Sequence, residues 1–202
     1  MAAAADNPGL WVHHGDVIYR SAFSGLSDVT SIVHLACLAA PAMYQKMPIQ
    51  TLRAGSAGTM NALQAAATYG ARIVVASSSD VYGDTREHPQ AETCRGAIDP
   101  LGPRSAYEVT KMFTEAAAVA CHRKGVEAGV IRPFNTYGPH MWPGDSRVVP
   151  AFCAAELAGR SYGCTAGSRP AACCTSTTRC PGSARWSRVM RSGRSTSARP
   201  KR

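Results

Sequence analysis

The chain has 202 residues, 45% of them hydrophobic, and a formal net charge of +9. That length suits one domain with a sizeable core, and no apolar run approaches the roughly 20 residues that a membrane helix needs, so a membrane partner is not expected. The charge invites a nucleic-acid reading, but from Ser161 onward there are nine Lys or Arg and no Asp or Glu, leaving thirteen of each sign before it; the excess is confined to one stretch, and a nucleic-acid partner is excluded with it.

The start, Met1-Ala2-Ala3-Ala4-Ala5-Asp6, has neither a basic n-region nor a long apolar run, so no secretory signal is visible and the expected compartment is the cytoplasm. Trp11-Val12-His13 reads as a short strand ending at Gly15-Asp16-Val17. Ser31 to Leu35 reads as a second strand. Pro48 to Tyr69 carries Leu52, Met60, Leu63 and Ala67 at mixed helical spacings, with Gly70 as the C-cap. Ile73-Val74-Val75 is a continuous β-branched run, expected to be a strand buried on both faces of a parallel sheet. Ser105 to His122 is the next helix, ended by Gly125, and Val126 to Ile131 is another strand.

Strands alternating with helices predict βαβ units and an α/β fold, a Rossmann-type, doubly wound parallel sheet. Ligands in such sheets bind at the carboxyl ends of the strands. Asp16, His34, Ser78 and Asn135 all fall there. Cys37, Cys94, Cys121 and Cys153 are scattered singly and read as reduced thiols. Adjacent Cys173-Cys174 lacks zinc spacing, His13 and His14 read as strand-end residues, and no metal site is expected.

Tyr107 and Lys111 stand four residues apart on the helix that begins at Ser105, so they share one face. There the ammonium is expected to lower the phenol's pKa. The run Ala71 to Ala76 opens directly into Ser77-Ser78-Ser79-Asp80-Val81-Tyr82-Gly83, which puts a hydroxyl at a strand end within reach of the same point. Together these make a proton-transfer site. His34-Leu35-Ala36-Cys37, Arg132-Pro133-Phe134-Asn135-Thr136-Tyr137-Gly138-Pro139 and Arg147-Val148-Val149-Pro150 fall in register around it.

In that order and spacing, from about Leu10 to Arg160, the chain resembles the extended short-chain dehydrogenase/reductases, the nucleotide-sugar epimerases and dehydratases. His88-Pro89-Gln90 and Gly102-Pro103-Arg104-Ser105 look most like the UDP-glucuronate decarboxylases. The resemblance implies NAD as cofactor, UDP-glucuronate as substrate and a possible homodimer. It implies that Tyr107 is the base for the C4 hydroxyl, that Ser78 holds that oxygen and that Lys111 contacts the nicotinamide ribose. Asp80 stands where the decarboxylases carry a Glu, and the dehydratases an Asp-Glu pair. By the same resemblance Asp16, Val17, Leu35, Ala36, Tyr107, Lys111 and Pro133 border the cofactor, and Ser79, Asn135 and Arg147 the substrate. Tyr44 stands near the sugar, as a loose match. Gly55 departs from the family, which usually has Asn in the turn before Gly58-Thr59. A 4-epimerase, a 4,6-dehydratase or an inactive fragment of such an enzyme are the alternatives.

The resemblance also sets two expectations about the ends. No Gly-x-x-Gly-x-x-Gly turn precedes Trp11, so the first βαβ segment that receives the pyrophosphate is expected to be missing and activity to be low. Residues 1–160 then form a partial NAD-binding domain, and 161–202, rich in Ser, Thr, Arg, Cys, Gly and Pro, a disordered basic tail without regular strands. Read one base earlier, codons for Ala171 to Thr178 can spell Arg-Ser-Leu-Leu-Tyr-Val-Asp-Asp, and those for Arg194 to Ala198 can spell Pro-Val-Asn-Ile-Gly, both like this family. A slip of the reading frame near residues 160 to 164 is therefore expected; the coding DNA decides it.

Overall fold

The computed structural model describes residues 9–85, 88–138, 141–142, 144–145, 147–159 and 173–175. Strands β1 (Ser31–His34), β2 (Arg72–Ala76) and β3 (Ala128–Ile131) form a three-stranded sheet in the order β1-β2-β3. Both pairs are parallel, with Ile32 opposite Ile73 and Val75 opposite Val130. Parallel neighbours need long crossovers. The first consists of α1 (Pro41–Lys46), α2 (Pro48–Arg53), a π-helical turn (Ala54–Gly58) and α3 (Thr59–Tyr69); the second contains α4 (Ser105–Arg123).

The sequence signals place most of these boundaries. Pro41 and Pro48 open α1 and α2, where a missing N–H costs nothing. Gly70 closes α3 at φ +63°, its N–H bonded to the Ala66 carbonyl, a left-handed position that any Cβ would strain. Gly125, at φ +94°, follows α4. The helix expected over Pro48 to Tyr69 is interrupted by the π turn, where Gly55 and Gly58 are both buried.

The core lies between one face of the sheet and two helices. Ile73 and Val75 of β2 meet Ala62, Leu63 and Ala66 of α3 and Ala117 and Ala118 of α4. Burying a side chain such as Leu63 contributes about 2 kcal/mol. The expectation that Ile73-Val74-Val75 is buried on both faces is corrected. Ile73 and Val75 are 0% exposed, but Val74, on the opposite face, is only partly covered, and its register partner Val33 is 65% exposed.

Two further expectations are corrected. Trp11-Val12-His13 is not a strand: an alternating pattern needs a hydrogen-bonding neighbour to become one, and β1 pairs with β2 alone. Beyond residue 160 a regular strand does form. Strand β5 (Cys173–Thr175) pairs in parallel with β4 (Asn135–Tyr137), and backbone pairing of this kind does not depend on apolar side chains. The rest of 161–202 lies outside the described residues, as does the frame-slip expectation. The last helix is α5 (Val148–Leu157). Among the described residues no helix is long and apolar enough to cross a membrane, and no group of His, Cys, Asp and Glu could hold a metal ion.

Candidate functional site

The serine loop leaves β2 and is stitched at once to the chain after β3. Ser77 N–H donates to the Ile131 carbonyl at 2.8 Å and Ser79 N–H to the Pro133 carbonyl at 3.0 Å. The three serines then divide their tasks. Ser77 Oγ donates to Glu115 Oε1 at 2.5 Å, and Glu115 in turn receives two bonds from Arg132, both 2.7 Å. Arg132 also lies 4.9 Å from the centre of the Tyr82 ring. Ser77 is thus a strut between β2 and α4. Ser78 Oγ accepts the Asp80 N–H at 3.2 Å, capping the short turn Ser79–Tyr82, and lies close enough to the Tyr107 phenol to favour its ionised form. Ser79 is only partly buried.

Tyr107 and Lys111 face the serine loop from α4. Lys111 Nζ donates to the Ala76 carbonyl at 2.7 Å and lies 5.6 Å from the Tyr107 ring centre. Ser78, Tyr107 and Lys111 therefore converge at the carboxyl end of β2. All three are buried, with exposures of 9%, 6% and 5%.

The expected lowering of the phenol's pKa is not what this site does. Burial raises Tyr107 from 10.0 to about 12, and the nearby Ser78 hydroxyl offsets only part of that. Asp80, Cys37 and Tyr44 add to the rise. Lys111 is itself lowered by burial, because a shielded interior disfavours whichever form carries the charge.

Tyr44 of α1, the loose match, is fully buried at 0% exposure and stacks flat on Tyr107, with centroids 4.9 Å apart and planes 6° from parallel. Asp80 is tied to Arg104 by a 2.6 Å ion pair. Arg147 is gripped by Asp145, Nη2 to Oδ2 being 2.5 Å, and is close enough to Tyr107 for their charges to interact. Nothing local in the sequence reveals that Asp80, Cys37 and Tyr44 lie close to Tyr107, or that Arg104, the N-cap of α4, reaches Asp80.

Leu35, Ala36 and Pro133 follow the ends of β1 and β3, whereas Asp16 and Val17 lie in a loop that no strand precedes among the described residues, contrary to the strand-end placement expected of Asp16. Asp16 Oδ1 accepts the Ile18 N–H at 3.0 Å, and Asn61 Nδ2 holds the carbonyls of Val17 and Ile18, both at 3.0 Å. A Cβ at Gly58 would come within 2.8 Å of Val17 Cγ2, so that glycine lets the loop lie against the start of α3. Leu35 is exposed and Ala36 half-buried, directly past β1. Pro133 and Asn135 are exposed past β3, Asn135 opening β4. An exposed carboxylate, an apolar edge and a buried ammonium in that order fit a dinucleotide, whose ribose hydroxyls need polar partners and whose rings need apolar walls.

Beneath the site His34 Nε2 lies 3.3 Å from Thr59 Oγ1, which lies 3.3 Å from Thr114 Oγ1. Burial, with the Lys111 ammonium nearby, lowers His34 from 6.5 to about 4. The folded chain thus refuses a proton that the unfolded chain accepts. Stability is complete above the unfolded value near pH 6.5 and falls as pH drops towards 4, by on the order of 3 kcal/mol. Urea unfolding at a series of pH values across that window should show this loss, and His34→Gln should flatten it. An equally steep loss in the variant would place the acid sensitivity elsewhere.

The sequence model of the NAD dependent epimerase/dehydratase family matches residues 2–169. UDP-glucuronic acid decarboxylase 1 of Arabidopsis thaliana is 46% identical over 133 residues, 65% of this chain and 31% of that protein. UDP-glucuronic acid decarboxylase 5 of the same plant is 43% identical over 165 residues, 80% of this chain and 48% of that one. The chain therefore spans about half or less of the length of these relatives. Among solved structures, DesIV, the dTDP-glucose 4,6-dehydratase of Streptomyces venezuelae with NAD bound, superposes with a TM-score of 0.68 at 28% identity, covering 78% of this chain and 48% of that one. RMD of Pseudomonas aeruginosa, complexed with NADPH, gives 0.61 at 30% identity over 77% of this chain and 55% of that one.

Proposed function

The chain belongs to the NAD dependent epimerase/dehydratase family, and we propose that its site serves NAD-dependent modification of a nucleotide sugar, with UDP-glucuronate decarboxylation as the reaction. The observation that carries this reading is the convergence of Ser78, Tyr107 and Lys111 at the end of β2. The identity to UDP-glucuronic acid decarboxylases supports UDP-glucuronate as the substrate.

Asp16, Val17, Leu35, Ala36, Lys111 and Pro133 would hold the cofactor. NAD, when bound there, would accept the hydride that leaves C4. Tyr107 takes the proton of the sugar's C4 hydroxyl, and Ser78 donates a hydrogen bond to that oxygen. Lys111 keeps a positive charge beside the phenol as it ionises. Once C4 is a ketone, the C6 carboxylate is a β-keto acid. The C5–C6 bond then breaks, carbon dioxide leaves and the electron pair delocalises onto the C4 oxygen. Ser78 and protonated Tyr107 are placed to stabilise that enolate. Asp80 would manage the proton at C5, and Ser79, Asn135 and Arg147 would contact the sugar and its diphosphate.

Incubation with UDP-glucuronate and NAD should release carbon dioxide, at the low rate expected of this chain, and give a UDP-pentose or its 4-keto form by proton NMR. Conversion of dTDP-glucose or UDP-glucose instead would move the assignment to a dehydratase or an epimerase; no reaction with any of them would remove the catalytic reading.

A second copy of the chain is the proposed partner. Val109, Met112 and Phe113 stand on one stripe of α4 and are 37%, 43% and 39% exposed; Ile49, Leu52 and Met60 on α2 and α3 are exposed as well. Apolar residues at i, i+3 and i+4 on an outward stripe fit helix-to-helix docking. Sedimentation should show a dimer, and Phe113→Asp should give a monomer; a monomeric wild type would reject the interface.

A further inference from the structure

Three segments of the site meet at one guanidinium. Arg104 Nη2 holds Asp80 Oδ2 of the serine loop at 2.6 Å. Its Nε lies 3.3 Å from Glu108 Oε1 on the next turn of α4, a carboxylate only 5% exposed. The Tyr44 hydroxyl of α1 lies beside it without an aligned hydrogen bond. Tyr44 is also the ring stacked on Tyr107.

We propose that Arg104 is a positioning residue, which fixes the Asp80 carboxylate and the Tyr44–Tyr107 stack relative to one another. The inference rests on the reading of Ser78, Tyr107 and Lys111 as the reacting cluster. Asp80 sits on a four-residue turn with no helix of its own to aim it. One strong charge-assisted bond to α4 sets its direction relative to Tyr107, which the same helix carries. The Tyr44 ring lies flat on Tyr107, and its hydroxyl end sits beside the guanidinium, so a shift of Arg104 would change the space that the ring occupies. One cation between two carboxylates leaves no positive excess, so Arg104 is not suited to capture a further anion; its role is geometric.

The role is specific to arginine. Its guanidinium hydrogen-bonds Asp80 through one nitrogen and brings another within ion-pair distance of Glu108, whereas a lysine makes a single point contact. The test uses Arg104→Lys, Arg104→Gln and Asp80→Asn in the full chain. Crystal structures of Arg104→Gln should show Asp80 turned away and the Tyr44 ring tilted off Tyr107; if both keep their present places, the proposal is wrong whether or not the chain turns over a sugar. Asp80→Asn, which keeps the side chain's shape, should loosen the same stack and serves if Arg104→Gln does not fold; an undisturbed stack there counts equally against the proposal. In kinetics with UDP-glucuronate, Arg104→Gln should lower kcat about 100-fold, the scale of an ångström-sized misplacement. KM should stay within about threefold, since no binding contact is removed. Arg104→Lys should recover to within about tenfold of wild type, as one of its contacts is restored. A rise in KM at unchanged kcat would make Arg104 a substrate contact and overturn the positioning role. Absence of turnover in the wild type would remove the proposed reaction but leave the crystallographic arm to decide this inference.

Discussion

Tyr107→Phe is expected to reduce turnover of UDP-glucuronate by about 10³-fold, within the range general acid–base catalysis supplies, while leaving the fold intact. The ring and its stack on Tyr44 survive the change, since only the hydroxyl is lost. What disappears is the acceptor for the C4 proton, beside the Ser78 hydroxyl. Thermal unfolding should therefore move little, and KM should hold while kcat collapses. A variant with more than about a tenth of wild-type kcat would show that another group takes the proton.

The pH dependence makes the same claim in a second way. In the free protein the phenol is raised to about 12, so only a small fraction is ionised near neutrality. That fraction grows tenfold with each unit of pH. The logarithm of kcat/KM, which reports groups of the free enzyme, should climb with about unit slope through the alkaline range. Tyr107→Phe should lose that climb. A wild-type profile already flat at about pH 8 would mean that the ionisation lies far lower than burial dictates.

What could be read from the sequence depended on how local each cause was. Tyr107 and Lys111 were legible because helical geometry alone puts i and i+4 on one face. Ser78 was legible because a β-branched run passing into serines marks a strand end. The pairing of Asp80 with Arg104 was not legible: the residues are 24 positions apart, and only the packing of α4 against the serine loop brings them together. The direction of the Tyr107 pKa was missed for a related reason. Spacing shows the neighbouring charge but not the burial that outweighs it. Trp11-Val12-His13 has strand-favouring residues without a paired neighbour among the described residues, and β5 has the neighbour without the apolar pattern. Strands are pair properties, which one segment cannot declare.

Gly55→Ala should be the most damaging small substitution in the fold. In the π turn before α3 this glycine lies so close to α4 that an added Cβ would fall 1.7 Å from Thr110 Cγ2 and 3.2 Å from Thr110 Cβ. Neither neighbour can yield cheaply. Thr110 is 2% exposed, its branched side chain is stiff in a helix, and the first contact is with a methyl group on a backbone-proximal carbon. Overpacking of this severity costs about 3 kcal/mol, or on the order of 10 °C in Tm for a domain of this size. Thr110→Ala in the Gly55→Ala background should restore about half of the lost stability, because it removes the clashing methyl and leaves the 3.2 Å contact. It sacrifices no hydrogen bond, since Thr110 Oγ1 has no partner among the described residues. Losses that simply add in the double variant would mean that α4 has moved away rather than clashed. Such a movement would be visible at the site, because Thr110 lies between Tyr107 and Lys111 on the same helix; turnover would then fall with stability, and the Thr110→Ala change would rescue neither.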